Sequence, residues 1–360
     1  MLRHFRSSLI FTAVCFVLAA AFGWSSAHSV AGVAEVIWIV FVLAILEVSL
    51  SFDNAVVNAA ILRTMEPVWS KRFLTWGMLI SVFGVRIVFP LAIVAIAAGI
   101  GPFEALELSL RHPDQYQTIV SAAHVTIAGF GGAFLLMVGL GFFFDQDKDV
   151  HWVRTIERFL ARFAAVQAIE IALVLIVLLG IGKLLPPEEA HSFIVAGMLG
   201  LISFVAMDGL GTMLKGPEAE PGPETHKAAP KPTTVAAKAG LGAFLYLNLL
   251  DATFSFDGVI GAFALSNSMP VIALGLSIGA MFVRSLTTLM VERDTLAQYR
   301  YLEHGAFWAI LALGVLMLVS ARYEVPEVIT GLIGAVVIGL SLVWSVRHRR
   351  QNGADVPTIH

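Results

Sequence analysis

Apolar blocks long enough to cross a bilayer follow one another along the whole chain, and they restrict the fold more than any other feature. A helix needs about 20 apolar residues to cross about 30 Å of hydrocarbon. Ten blocks of this kind can be placed, and they predict an all-α polytopic membrane protein. The predicted spans are residues 8–26, 35–61, 73–100, 121–143, 163–183, 192–214, 239–266, 270–291, 304–320 and 327–346.

The composition supports the same class of protein. The chain is 58% hydrophobic and 14% charged, against about 45–50% apolar and about 25% charged residues in soluble domains. A soluble globular enzyme is therefore nearly excluded. The single cysteine, Cys15, excludes a disulfide framework and a cysteine-built metal site. The net charge of −3 gives no overall attraction to nucleic acid, so we expect a lipid bilayer around the chain and no nucleic-acid partner.

The N-terminal segment, residues 1–27, has two interpretations. It combines a basic start, an apolar run and the sequence Ser25-Ser26-Ala27, which resembles a signal-peptidase site. Cleavage would remove it from the mature protein. We favour an uncleaved first span, because the chain that follows is itself membrane-embedded and is not a secreted domain.

The distribution of lysine and arginine predicts the orientation. When loops are assigned alternately to the two sides, eighteen basic residues fall on one side and three on the other. Basic residues concentrate on cytoplasmic loops, so we expect a multi-pass protein of a bacterial-type inner membrane with both termini in the cytoplasm. Residues 215–238 contain five prolines and scattered charges, which is typical of a segment that cannot bury enough apolar surface to order itself. They are predicted to form a cytoplasmic linker between a first membrane half, 35–214, and a second, 239–346, followed by a tail, 347–360.

An acidic motif occurs twice, once in each half. The segment from Glu47 to Asn54 aligns with the segment from Asp251 to Gly258 at an offset of 204 residues, with Ser-Phe-Asp in common. The following span repeats residues 77–86 as residues 275–284 at an offset of 198. Five predicted spans separate each element from its copy, so the copies cross the bilayer in opposite directions. Such inverted repeats are characteristic of secondary transporters, whose substrate site lies at the repeat interface.

The two motifs place acidic residues inside apolar spans. A charged side chain at the bilayer centre costs about 2.5–3.5 kcal/mol on insertion scales, so such residues are functional or paired. The cluster offers oxygen ligands without histidine or cysteine, which disfavours zinc and copper and favours magnesium, calcium or manganese. The candidate metal ligands are Glu47, Ser51, Asp53, Asn54, Asp251, Ser255 and Asp257.

Helix geometry sets a condition on this site. Six residues place Asp53 about 120° around a regular helix from Glu47, so both acids cannot face one ion without a local break. Competing side chains at Ser51, Asp53 and Asn54 favour such a break, as does Gly258 in the second motif. Broken helices are how transporters build ion sites.

Three further charged residues are candidates for supporting roles. Arg86 and Arg284 are the two basic residues inside predicted spans. Arginines at that depth need partners, so we expect each of them within salt-bridge reach of one of the four carboxylates. The sum of charges would then be −2, which one divalent cation would neutralise. Alternatively the arginines are structural partners that hold the two halves together. Glu170 lies in the cytoplasmic third of its span, about 10 Å deep by helical rise. It would line an entry path or lie in a wet vestibule.

At these residues the chain resembles the TerC superfamily, named for tellurium resistance and related to LysE-type exporters. The resemblance covers most of the chain from Glu35 to about Ser320. It is carried by residues 46–58, 142–152, 246–263, 275–284 and 299–305. It implies manganese export, with the acidic pair of each repeat as ligands and no resident cofactor. By position these ligands are Glu47, Asp53, Asp251 and Asp257, with Asn54 after the first pair.

Two other classes of function remain to be weighed against a transporter. TerC-like proteins are linked to stress-response complexes, so the chain could be a membrane scaffold in a metal or tellurite stress response, with a soluble partner at the charged loop 145–162. An intramembrane aspartyl enzyme would use Asp53 and Asp257. The sequence lacks the Gly-x-Gly-Asp arrangement of such proteases, so we do not expect an enzyme.

Overall fold

A computed structural model describes residues 2–77, 79–144, 150–163, 168–213, 240–323 and 325–351 of the chain. The side chains of residues 2, 3, 64, 97, 161–163, 210–213, 256, 257, 327 and 328 are outside this description. The structure is 88% helix and has no strands within the described part. The predicted all-α class is confirmed.

Sixteen α-helices and two π-helical segments follow one another within the described residues. They are α1 (Leu2–Ala27), α2 (Val30–Leu50), α3 (Phe52–Thr64), α4 (Pro67–Arg72), π1 (Phe73–Gly77), π2 (Ile80–Val88), α5 (Phe89–Ala98), α6 (Pro102–Arg111), α7 (Pro113–Ala122), α8 (His124–Phe143), α9 (Arg154–Phe163), α10 (Ile169–Gly182), α11 (Pro187–Met213), α12 (Gly240–Ala262), α13 (Met269–Glu292), α14 (Thr295–Gln298), α15 (Leu302–Ser320) and α16 (Glu327–Gln351).

The helices make this a multi-pass membrane protein. Within the described residues, eight helices are long and apolar enough to cross a bilayer. A ninth span results if Pro67–Gly77 and Ile80–Ile96, which meet at 43°, are counted together. Helix α10 is largely apolar but has 14 residues, or about 21 Å at 1.5 Å per residue, which is less than the hydrocarbon thickness. Residues 164–167, just before α10, lie outside the described residues. The predicted number of ten spans stays a prediction.

The first acidic motif interrupts its helix. The predicted span 35–61 is divided into α2 and α3 at Ser51, whose φ is −96° and ψ is 17°. The Ser51 hydroxyl donates to Glu47 Oε1 at 2.9 Å, and the carboxylate of Asp53 accepts from the backbone N–H of Asn54 at 2.8 Å. Side chains that compete locally for hydrogen bonds account for the interruption. The second motif differs, because α12 continues through it to Ala262, so the break expected at Gly258 is not found.

The third predicted span, 73–100, is not a regular helix. Its first part is π-helical over Phe73–Gly77 and Ile80–Val88, and α5 follows. Pro90 contributes to this geometry because it has no N–H to donate to the carbonyl of Arg86, four residues earlier. π-Helical turns are frequent at functional sites, and π2 carries both Ser81 and Arg86.

Glycines let α13 approach α2 closely. A Cβ added to Gly275 would be 3.2 Å from the carbonyl oxygen of Val40 and would overlap the side chain of Leu43. A Cβ added to Gly279 would overlap Glu47 in the same way. Gly275 thus lies beside Leu43, and Gly279, four residues later, lies beside Glu47. Helices α2 and α13 therefore run in the same direction.

The last helix, α16, packs along the interrupted segment. Gly331 lies against Leu50, and a Cβ added to Gly334 would be 3.0 Å from Asp53 Oδ2. Residue numbers rise together along these helices, so α16 also runs parallel to α2 and α3. Helix α16 ends at Gln351, which makes the first residues of the predicted tail 347–360 helical. The predicted linker 215–238 lies outside the described residues.

The N-terminal helix is packed into the same bundle. The buried hydroxyl of Ser8 in α1 donates to the carbonyl of Met281 at 2.7 Å and lies 2.7 Å from the hydroxyl of Ser285. Further along α1, Cys15 is buried in a small apolar cluster with Val40 and Ile278. Helix α1 thus covers the seam between α2 and α13.

Candidate functional site

The carboxylate of Glu47 is the centre of a buried charge cluster. It lies near the end of α2 and is 2% exposed. It accepts a hydrogen bond from Ser51 and forms an ion pair with Arg86, which is also 2% exposed. Arg86 in addition donates to the backbone carbonyl of Ser81 at 2.8 Å. The prediction that Arg86 pairs with an acid of the motif is confirmed.

Asp251 of the second motif joins this cluster through Ser81. Its carboxylate is buried and accepts hydrogen bonds from the hydroxyl of Ser81 and from the amide of Asn58. It also interacts electrostatically with Arg86 and Glu47. The first acids of the two motifs, 204 residues apart, are therefore linked by one serine and one arginine from π2.

Asp53 has a different environment. It lies in the first turn of α3, is 6% exposed and accepts from the N–H of Asn54. Its other carboxylate oxygen faces Gly334 of α16. Among the described residues no basic side chain forms an ion pair with Asp53. This part of the structure thus holds a buried carboxylate whose charge no neighbouring cation compensates.

A cavity of about 40 Å³ lies between the first motif and its neighbours. Its polar wall comes from Glu47, Ser51, Asp53 and Asn54, and the second motif contributes Gly258. The remaining lining residues are Leu50, Phe254, Leu313, Thr330 and Gly331. A site of a few tens of cubic ångströms is large enough for one or two water molecules, and equally for one cation with a water.

The second motif contributes less of the described geometry. The backbone of Asp257 belongs to α12, but its side chain lies outside the described residues. Ser255 is 2% exposed, and its hydroxyl has no hydrogen-bond partner among the described residues. Where side chains are described, no group of three or more histidine, cysteine, aspartate or glutamate residues is arranged to hold a metal ion.

Arg284 does not join the cluster in the described part of the chain. Its Nε and Nη2 donate to the backbone carbonyl of Leu74 at 3.1 and 2.9 Å. It forms no ion pair with Glu47, Asp53 or Asp251 among the described residues, and the side chain of Asp257 is not described, so its pairing with an acid of the motifs stays a prediction. The irregular segment π1 presents a carbonyl that satisfies the guanidinium where it lies.

Glu170 is not part of the cluster either. It lies half-buried in the first turn of α10, which begins at Ile169, and no described contact joins it to Glu47 or Asp53. The expected depth of about 10 Å assumed an unbroken helix from residue 163. Helix α10 begins at Ile169 after Ala168, whose φ is 60°, and residues 164–167 lie outside the described residues, so this depth stays a prediction.

Three features of the site were missed by the sequence analysis. Asn58 and Ser81 both hydrogen-bond to Asp251, and α16 closes the cavity with Thr330 and Gly331. The signal for Asn58 was its spacing, because it follows Ser51 by seven residues and therefore shares its helix face. The sequence held no comparable signal for α16.

The comparisons with known proteins identify a family. A model for a family described as a protein of unknown function (DUF475) matches residues 52–352. The match spans more than half of the chain, so the chain belongs to this family. No curated protein and no solved structure gives a significant match.

Proposed function

We propose that this member of the DUF475 family is a secondary transporter that exports a divalent metal cation, with manganese as the first candidate. The observation that carries the proposal is the cavity at the first motif, which is lined by the carboxylates of Glu47 and Asp53 and closed on one side by Gly258 of the second motif. The cation is the substrate of this site, not a resident cofactor.

The donor set suits a hard cation. Carboxylate, hydroxyl and amide oxygens from Glu47, Ser51, Asp53 and Asn54 line the cavity, and oxygen sites of this kind select magnesium, calcium or manganese. Manganese is preferred because magnesium gives up its hydration shell reluctantly. The resemblance to TerC proteins points to the same ion.

The charges support a divalent substrate. Glu47, Asp53 and Asp251 contribute −3 and Arg86 contributes +1, which gives −2 before the carboxylate of Asp257, whose side chain is not described, is counted. A divalent cation would compensate most of this negative charge, and protons would do so in its absence. Exchange of the cation for protons agrees with this balance, with Arg86 holding Glu47 throughout.

Two contacts related by the repeat support an inverted architecture. Asp251 lies against Ser81, and Glu47 lies against Gly279. Asp251 follows Glu47 by 204 residues and Gly279 follows Ser81 by 198 residues, which are the two offsets found in the sequence. A pseudo-twofold axis would generate one contact from the other. The parallel packing of α2 and α13, six predicted spans apart, agrees with this arrangement.

Transport is testable in proteoliposomes that contain the purified full chain and a manganese-sensitive fluorophore. We expect manganese flux driven by an opposing proton gradient, and we expect Asp53→Asn to reduce it at least about tenfold, because the variant removes one charge from the site. The matched control is Asp294→Asn. Asp294 is exposed, pairs with Arg63 on the surface and has a φ of 47°, a conformation that asparagine tolerates. Absence of flux for manganese, magnesium and calcium alike, or equal flux in Asp53→Asn and wild type, would contradict the proposal.

The alternative function is a TerC-like membrane scaffold in metal or tellurite stress that does not transport. It predicts that a resistance phenotype persists in Asp53→Asn cells and that vesicles show no flux. The same two variants at matched expression decide between the two functions.

A further inference from the structure

Helix α9 has three distinct faces. Glu157 and Leu160 point toward the protein, since Glu157 is buried and Leu160 packs on the main core. Ile156 and Phe159, on the next face, are 47% and 57% exposed. Arg154 and Arg158 are exposed on the third face, about 100° to 160° around the helix from the apolar pair at 100° per residue. Helix α9 therefore has an apolar face and a basic face, and its remaining edge is fixed to the protein. These features are typical of a helix that lies in a membrane interface.

The fixed edge is strongly held. The carboxylate of Glu157 accepts from the backbone N–H groups of Trp152 and Val153 at 3.0 and 3.1 Å and from the indole of Trp308 at 3.0 Å. The ring of His304 lies 3.7 Å from the same carboxylate. The only acid of α9 is thus used inside the protein, so the exposed surface of the helix carries the arginine charges without compensation from its own sequence.

Aromatic contacts define the level of α9 relative to the bilayer. The ring of Trp152, just before α9, lies 6.5 Å from the ring of Trp344 in α16. Trp344 is half-exposed and precedes a basic helix end with Arg347, Arg349 and Arg350. Tryptophan is enriched at the boundary between hydrocarbon and water, and arginines beyond it mark the cytoplasmic surface. Helix α9 therefore lies level with this boundary.

We propose that α9 is an interfacial anchor that binds anionic phospholipid of the cytoplasmic leaflet. Ile156 and Phe159 contact the acyl chains, and Arg154 and Arg158 bind the headgroup phosphates. The exposed side of α9, which includes Arg154, Thr155, Ile156, Arg158 and Phe159, borders an open surface region where a headgroup would lie. The inference rests on the predicted orientation of the chain and not on metal transport, so the two can fail separately.

The position of the apolar face can be measured because the chain has one cysteine, Cys15. In a Cys15→Ser background, a nitroxide at Phe159→Cys is compared with one at Ala297→Cys, an exposed residue of α14. The full chain is placed in vesicles of phosphatidylglycerol and phosphatidylcholine. We expect the label at 159 to be relaxed by oxygen and shielded from a water-soluble nickel chelate, and the label at 297 to show the reverse. Equal exposure of both labels to the chelate would overturn the proposal and leave this face to a soluble partner.

The charge requirement has its own measurement. Retention of phosphatidylglycerol by the detergent-purified chain is compared between wild type and Arg154→Gln/Arg158→Gln. Each basic residue near an anionic surface contributes a factor of about 5 to affinity, so we expect about 25-fold weaker retention for the pair. The control, Arg111→Gln/Arg322→Gln, removes the same charge from the predicted opposite side and should retain lipid as wild type does. Equal losses in both variants, or no loss in the first, would refute a specific role for α9.

Discussion

Replacement of Arg86 by glutamine tests the centre of the charge cluster. In the structure both Arg86 and Glu47 are 2% exposed and form an ion pair. Asp251 also interacts electrostatically with this arginine. Removing one partner of a buried pair costs about 3–5 kcal/mol, because the remaining charge is left without compensation. We therefore expect Arg86→Gln to lower the free energy of unfolding by about this amount.

The reverse replacement should be milder. In Glu47→Gln the arginine still faces the carboxylate of Asp251, whereas in Arg86→Gln two carboxylates lose their cation. We therefore expect Arg86→Gln to be more destabilising than Glu47→Gln. The double variant should be less destabilised than the sum of the single variants, by about 1–3 kcal/mol, which is the range for residues in one network.

Unfolding of the purified chain in mixed micelles by sodium dodecyl sulfate, followed by tryptophan fluorescence, gives these free energies. Arg284→Gln is the matched control, because Arg284 donates only to the carbonyl of Leu74 within the described residues. Its coupling to Glu47→Gln should be close to zero. A coupling between Arg86 and Glu47 below about 0.5 kcal/mol, within the error of additivity, would refute the buried ion pair as the organising contact.

Three more outcomes follow from the packing. Gly279→Ala should lower the free energy of unfolding by about 1–3 kcal/mol, because the added methyl group overpacks against Glu47. Gly180→Ala is the control and should leave stability unchanged, since an added Cβ there meets nothing within 4 Å. Equal unfolding midpoints for the two variants would contradict this. Cys15, 2% exposed, should react with maleimide only after denaturation, and rapid reaction of the folded chain would show that α1 does not pack as described. Cys15 also lies within residues 1–27, so it reports whether this segment is cleaved. If the first span is uncleaved, we expect full labelling after denaturation and an intact mass that includes the segment. A mature chain with no thiol would show cleavage.

Local chemistry made part of this structure predictable. Apolar length alone determined the helical membrane class, because a backbone in hydrocarbon must satisfy its hydrogen bonds internally. The interruption at Ser51 was predictable for a similar reason, since serine, aspartate and asparagine side chains compete with the helix for hydrogen bonds within a few residues. The burial of Glu47 and Asp53 followed from their position inside an apolar block.

Tertiary structure decided how these residues are paired. Arg86 and Arg284 correspond at the offset of 198 residues in the predicted repeat, yet one binds Glu47 and the other binds a backbone carbonyl. This difference depends on the π-helical geometry of π1 and π2, which reflects the packing of distant segments and Pro90. The contribution of α16 to the cavity depends likewise on a glycine, Gly331, that lies against Leu50 although 281 residues separate them in the chain. Sequence patterns report which residues are buried and how the nearest backbone folds; which buried groups meet is set by the directions and close approaches of whole helices.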